Sequence, residues 1–170
     1  MSVSIRRARP NDAAFLSELL ADDEVRPFLA AVRPRTLEDV LELIDRSVRE
    51  PDRFGMFVIE VDGERAGTFD FELVNRRSSI AHVGGLAVHP RFRGRRVGDE
   101  AARLLQRHLL LELGIHRLQL EIYGFNERAL AHAERAGWIR EGVKRRAYRR
   151  DDGWVDGVMF GLTREDVESA

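Results

Sequence analysis

Leu86-Ala87-Val88-His89-Pro90-Arg91-Phe92-Arg93-Gly94-Arg95-Arg96-Val97-Gly98 is the stretch that decides the fold. An apolar strand runs into a proline, which lacks an N–H and so ends strand pairing. A basic, glycine-containing turn follows, and then a long helix opening near Val97. The first turn of a helix carries free N–H donors and a partial positive charge. Gly94 and Gly98 let the backbone approach a ligand closely, and Arg91, Arg93, Arg95 and Arg96 add positive charge suited to phosphate oxygens. Donors, helix end and guanidinium groups converge on one spot, and such a spot binds a pyrophosphate.

The composition bounds the answer. The 170 residues are 44% hydrophobic, which predicts one domain, residues 1–170, with a proper core. A net charge of −1 gives no global attraction to nucleic acid or to an anionic membrane. The absence of cysteine excludes disulfides, a thiol nucleophile and thiolate metal sites. No metal site is expected. The N-terminus has no apolar signal core, and no apolar run approaches the ~18 residues of a membrane span. A cytoplasmic protein is the expectation. Lys144 is the single lysine; nearly every basic residue is an arginine.

Around the central stretch the chain reads as strands and amphipathic helices. Val3–Arg7 predicts a first strand. Asn11 or Asp12 caps a helix with Phe15, Leu16, Leu19 and Leu20 on its apolar face. Thr36-Leu37-Glu38-Asp39 has the pattern of a capping box, and Leu37, Val40, Leu41, Ile44 and Val48 form the apolar stripe of the helix it opens. Met56–Val61, Ala66–Leu73 and Ser79–Val88 predict an antiparallel meander, its first turn at Asp62-Gly63. Val97–Leu113 predicts a long helix stopped by Gly114, and His116–Tyr123 alternates as a strand. Asn126–Arg135 predicts a short helix ended at Gly137. Ile139–Tyr148 and Trp154–Leu162 close the chain as a hairpin around Asp151-Asp152-Gly153. The order β-α-α-β-β-β-α-β-α-β-β predicts an α/β (α+β) fold with a mixed, mostly antiparallel central sheet flanked by helices.

The turn at Arg93–Gly98, Asn126 about 30 residues later, and Gly137-Trp138 after it resemble, in that order, the GNAT superfamily of acyl-CoA-dependent N-acetyltransferases. The resemblance covers residues 80–165 well and residues 3–75 loosely. The family turn reads Arg/Gln-x-x-Gly-x-Gly/Ala; here it is Arg93-Gly94-Arg95-Arg96-Val97-Gly98, with Arg96 where the first family glycine stands. The resemblance implies acetyl-CoA as cosubstrate. The backbone of Leu86, Ala87 and Val88 would pair with the pantetheine arm across a gap between this strand and His116–Tyr123. Residues Arg93, Gly94, Arg95, Arg96, Val97 and Gly98 would meet the pyrophosphate. Gly84-Gly85 fits a bulge just before the gap. Asn126 matches the family asparagine beside the pantetheine, a role compatible with a plain N-cap.

The chemistry implied is direct transfer of an acetyl group to a primary amine: a protein N-terminus, a polyamine or another small amine. Backbone N–H groups near Leu86–Val88 would stabilise the oxyanion. His82 is the first candidate for the base, since it stands where some family members carry a catalytic glutamate and titrates near neutrality. Glu121, on the strand across the gap, is the second. Asp70 and Glu72 would draw a cationic amine, as would Asp22-Asp23-Glu24. Many family members carry a tyrosine seven residues after the asparagine; here that position is Ala133, with His132 beside it and Tyr123 and Tyr148 as substitutes. That departure keeps open a non-catalytic acyl-CoA-binding or regulatory protein.

The segments Trp138–Val143 and Asp151–Asp156 look like the branch containing ribosomal-protein alanine and spermidine acetyltransferases, in which Asp156 has a structural or a substrate-side role. Arg140–Arg150 holds six basic side chains but Tyr148 as its sole aromatic, the composition of a charged edge hairpin rather than a nucleic-acid face. No nucleic-acid or membrane partner is expected. A homodimer is compatible with the edge-strand pairing common in the family.

Overall fold

A computed structural model describes residues 1–30 and 33–170. Its seven-stranded sheet has the order β1-β2-β3-β4-β5-β7-β6. The strands are β1 (Val3–Arg7), β2 (Phe54–Val61), β3 (Glu64–Asn75), β4 (Ile80–Val88), β5 (Arg117–Tyr123), β6 (Ile139–Arg150) and β7 (Gly153–Thr163). The helices are α1 (Ala13–Ala21), α2 (Leu37–Arg49), α3 (Val97–Arg107), α4 (Glu127–Arg135) and α5 (Arg164–Glu168). Every pairing is antiparallel except β4 with β5. The mixed sheet flanked by helices is the fold class the sequence predicts.

Alternation along the strands divides the core between two sheet faces. On one face Phe57, Phe69, Phe71, Leu118 and Phe160 pack with Val97, Ala101 and Leu105 of α3, with Leu109 just after it and with Ala133 of α4. On the other, Met56 and Val58 meet Leu16, Leu19 and Leu20 of α1 and Val40 and Ile44 of α2. Each fully buried large side chain contributes about 1.5–3 kcal/mol.

Several local expectations change. Asp12 does not cap α1 with its side chain. It is fully buried and accepts hydrogen bonds from Arg6 (2.7 and 3.0 Å), Arg65 (2.7 Å) and the N–H of Arg9 (2.8 Å). Sequence reading favoured the cap because the three donors are not adjacent in the chain. Thr36 does cap α2, accepting from the N–H of Asp39 at 3.1 Å. The stripe of α2 is only half covered: Val40 and Ile44 are buried, while Leu37, Leu41 and Val48 are 49%, 40% and 65% exposed. The helix rolls toward Ser47, whose hydroxyl accepts from the Met56 N–H and from Arg7, each at 3.1 Å. The long third helix continues beyond α3 as a π-helical turn, His108–Glu112. The closing strands extend to Arg150 and Thr163, and α5 follows them with a capping box at Thr163 and Asp166.

Candidate active site

β4 and β5 pair only through Ile80–Arg117, Ala81–Leu118 and His82–Gln119. Beyond that point the strands part, and β4 runs on to Val88 with no partner on its β5 side. On the other side, its register with β3 slips between Thr68/Ala87 and Asp70/Gly84, and Gly85 lies there at φ +64°. This is a bulge, and it re-aims the strand just where the gap opens. Apart from the Val88 carbonyl, which accepts from Arg93, the backbone groups of Leu86–Val88 on the gap side are left for a ligand to pair, as an added strand would.

The open strand leads into the basic turn. Gly94 and Arg96 both have left-handed backbones, with φ of +75° and +57°. Arg96 thus adopts a conformation natural to glycine, at the position where the family pattern has one. It is also the N-cap of α3, and no side chain caps that end. The first helical bond is donated by the Glu100 N–H to the Arg96 carbonyl at 3.1 Å. The N–H groups of Val97, Gly98 and Asp99 therefore precede the ladder. Those of Gly94, Arg95 and Arg96 make no hydrogen bond among the described residues. Free donors converging on an uncapped helix end fit a pyrophosphate.

The arginines of the turn divide. Arg93 turns back, donating from Nε to the Val88 carbonyl at 3.1 Å and pairing with Glu24. Arg91 pairs with Glu64. Both guanidinium groups, expected to add charge to the turn, instead hold its ends, and the Glu24 carboxylate is spent on Arg93 rather than left for an acceptor. Arg95 and Arg96 have no ion-pair partner among the described residues. Behind the turn, the buried Asp99 accepts from Arg135 (2.8 and 3.2 Å) and lies 2.7 Å from His132 Nδ1, tying α3 to α4. Burial pushes the His132 imidazole below its ordinary pKa against the pull of Asp99. Asn126 caps α4, accepting from the Ala129 N–H at 3.2 Å. The sequence offered no signal for the Asp99–His132–Arg135 cluster, because Asp99 lies over 30 residues from both of its partners.

The sheet register gathers a second set of groups on the α1/α2 face. Met56 opposes Asp70, Asp70 opposes Gly84, Glu72 opposes His82 and His82 opposes Gln119, two residues from Glu121. Glu121 lies 2.8 Å from Lys144 Nζ and accepts a hydrogen bond from the Tyr148 hydroxyl. Both partners reach it from β6 across β7, and Gly157 makes that possible. A Cβ there would lie 2.7 Å from the Tyr148 ring and 3.1 Å from Glu121 Cδ. An irregularity between Lys144 and Tyr148 aims both inward, with Arg146 at φ +49° and its N–H donating to Asp156 Oδ1 at 2.7 Å. Asp156 thus has a structural role in shaping this bulge. Glu121 holds the Tyr148 phenol above its ordinary pKa.

His82 is only partly exposed. Burial is the main influence and pushes its imidazole below the ordinary value, against the pull of Glu121 and Glu72. It is neutral at pH 7 with a lone pair available. Glu72 pairs with Arg46 at 2.7 Å. Beyond Glu121 the face ends in an aromatic shelf: Tyr123 stacks on Phe125 at 5.5 Å, Phe125 meets Phe28 at 6.2 Å, and Arg150 lies 4.9 Å over Tyr123. Ala133, at the family tyrosine position, is fully buried and faces the core.

Splayed parallel strands, a β4 bulge and an uncapped basic turn are the architecture of an acyl-CoA-dependent transferase. A family model described as Acetyltransferase (GNAT) domain matches residues 2–139, and the chain belongs to that family as an acetyl-CoA-dependent acetyltransferase. The SPbeta prophage-derived uncharacterized N-acetyltransferase YokL of Bacillus subtilis (strain 168) is 25% identical over 169 residues, covering 98% of this chain and 93% of the relative. Spermidine N-acetyltransferase from Vibrio cholerae, in complex with CoA and spermine, superposes with a TM-score of 0.87 over 98% of each chain at 14% identity. Aminoglycoside acetyltransferase AAC(6')-Ib in complex with coenzyme A gives 0.81 over 99% of each chain at 22% identity. Among the described residues, no helix is long and apolar enough to cross a membrane.

Proposed function

We propose that this protein transfers the acetyl group of acetyl-CoA directly to a primary amine, either a small molecule such as a polyamine or a protein N-terminus. The observation that carries this reading is the continuity of the unpaired β4 edge with the free N–H groups of residues 94–99. When bound, acetyl-CoA supplies an electrophilic thioester carbonyl and a thiolate leaving group. Leu86, Ala87 and Val88 pair with the pantetheine arm, and their N–H groups polarise the carbonyl. Gly94, Arg95, Arg96, Val97 and Gly98 hold the pyrophosphate through their N–H groups, with Arg95 and Arg96 adding charge. Arg93 sets the turn by gripping Val88, and Asn126 fixes the end of α4 beside the cofactor arm. The neutral His82 accepts a proton from the attacking nitrogen. Glu121, neutralised by Lys144 and bound by Tyr148, orders the acceptor side. Transfer takes place within a single domain spanning residues 1–170, in the cytoplasm; the exposed β6 edge suits a homodimer.

A second reading, a non-catalytic acyl-CoA binder, draws on one observation: Ala133 is buried where the family acid stands. Two measurements separate the readings. Saturating acetyl-CoA raises the melting temperature under both, since a ligand of the folded state must stabilise it. Thiol release with spermidine, kanamycin or an alanine-terminated peptide is expected only of the enzyme. No thermal shift with acetyl-CoA or free CoA would defeat both.

A further inference from the structure

The carboxylates of the acceptor face are not equivalent. Glu121 is held by Lys144 and Tyr148, and Glu72 by Arg46. Asp70 makes no hydrogen bond and no ion pair among the described residues. It stands on β3 at the bulge. Gly85 is the residue that leaves space for it: a Cβ there would lie 2.6 Å from Asp70 Oδ2. A Cβ on Gly84 would lie 3.7 Å from Asp70 Oδ1 and 3.5 Å from His82 Nε2, so carboxylate and imidazole flank the same space. That space adjoins the point where β4 parts from β5. Asp70 is partly exposed rather than sealed in the core, so its unpartnered carboxylate is open to an incoming group.

Resting on the acetyl-transfer reading above, we propose that Asp70 is a second catalytic residue, which receives the acceptor's ammonium group and takes its first proton, leaving His82 the second. An alkylammonium must lose two protons to become an amide. Asp70 takes one, which frees the nitrogen lone pair. The C–N bond forms as the thioester π pair moves to oxygen. His82 takes the second proton from the nitrogen of the adduct. The oxygen pair returns to reform the carbonyl as the C–S bond breaks with its pair on sulfur; the thiolate takes the His82 proton, while Asp70 returns its own to solvent.

The electrostatics agree. Burial pushes the Asp70 carboxyl up to about 6, helped by Glu72 and opposed by Arg35 in the segment before α2. The charged or titratable groups facing it are Arg35, Glu72 with its partner Arg46, and His82 on β4; Met56 faces it from β2. A carboxyl of this strength is ionised at pH 7 and protonated on the acid side of neutrality.

The test compares wild type with Asp70→Asn in thiol release, using the fastest amine of the spermidine, kanamycin and peptide panel. The variant is expected to lose at least about 100-fold in kcat, the usual scale of a general base. Its acetyl-CoA affinity should stay within about twofold, and the acid limb of kcat/KM near pH 6 should lose the Asp70 titration. The variant should also melt no lower than wild type at pH 8, because the Asp70 carboxylate has no partner to lose; a structural role would predict the reverse. Wild-type turnover with an unchanged variant rate, or an unchanged acid limb, overturns Asp70 alone. No turnover by wild type with any amine, despite a thermal shift with acetyl-CoA, overturns the transfer reading and Asp70 with it. If the variant does not fold, carboxyl NMR of carbon-13 aspartate in wild type decides: no aspartate titrating above pH 5 overturns the proposal.

Discussion

The Cβ that Gly85 lacks would lie 2.6 Å from a carboxylate oxygen of Asp70, and Gly85 itself has φ +64°. One residue thus meets two demands, a left-handed backbone for the bulge and room for the partly exposed Asp70 side chain. Gly85→Ala should destabilise the fold by about 1–3 kcal/mol, the range for a non-glycine residue held in that region. It should also reduce thiol release more than stability alone explains, since the added methyl displaces Asp70. Urea unfolding beside an activity assay checks both; a fully active, equally stable alanine variant contradicts the geometry.

Arg96 presents the opposite case, a side chain where glycine would be at ease. Its φ of +57° costs an L-residue about 1 kcal/mol or more. Arg96→Gly relieves that strain while adding freedom to the unfolded chain. The expected net gain is about 0.5–1 kcal/mol, seen as a higher urea midpoint with an unchanged slope. A lower midpoint would mean that the Arg96 side chain makes a stabilising contact.

Charge reversal should separate the arginines of the turn. Arg95→Glu with Arg96→Glu is expected to weaken acetyl-CoA binding by tenfold or more, and to flatten its dependence on salt. Arg93→Met removes the bond to Val88 and the pair with Glu24, so it should lower thermal stability before it alters the salt dependence. Calorimetric titrations at two ionic strengths test both statements.

Asp12 links β1, α1 and β3 through Arg6, Arg65 and the Arg9 N–H. Burial alone would raise its pKa, but the Arg6 bond, the Arg9 N–H and Arg65 outweigh it and hold the carboxyl well below the usual range. A lowered folded pKa means stability that is fully present above the unfolded value of 3.8 and lost as pH falls below it. Asp12→Ala leaves Arg6 with Glu60 alone and Arg65 without a carboxylate, and should destabilise by about 1–3 kcal/mol at pH 7, the scale of hydrogen bonds lost to a charged group. The gap from wild type should narrow as pH falls through 4; a gap independent of pH would place the effect in packing instead.

Much of this molecule was legible because its signals are local. Residues 86–98 carry their own strand end, turn and helix start, and Thr36 announces its helix three residues ahead. Gly84-Gly85 marked the bulge before any register was known. Long-range placements were not legible. The half-exposed stripe of α2 depends on which face Ser47 draws to β2. The return of Arg93 to Val88 and Glu24 depends on a loop 69 residues away. The Lys144–Glu121–Tyr148 cluster forms only because Gly157 on β7 lets two β6 side chains cross it.

The sequence by itself determined the order of the seven strands and of the first four helices, the fold class and the family, since hydrophobic periodicity and backbone chemistry act between neighbours along the chain. Only the tertiary structure decided which charges are spent and which remain free. Glu121, Glu72 and Arg93 are paired with Lys144, Arg46 and Glu24, while Asp70, His82, Arg95 and Arg96 have no ion-pair partner among the described residues. A side chain's charge is written in the sequence, but its partner and its solvation are set by strands and helices brought together from distant positions.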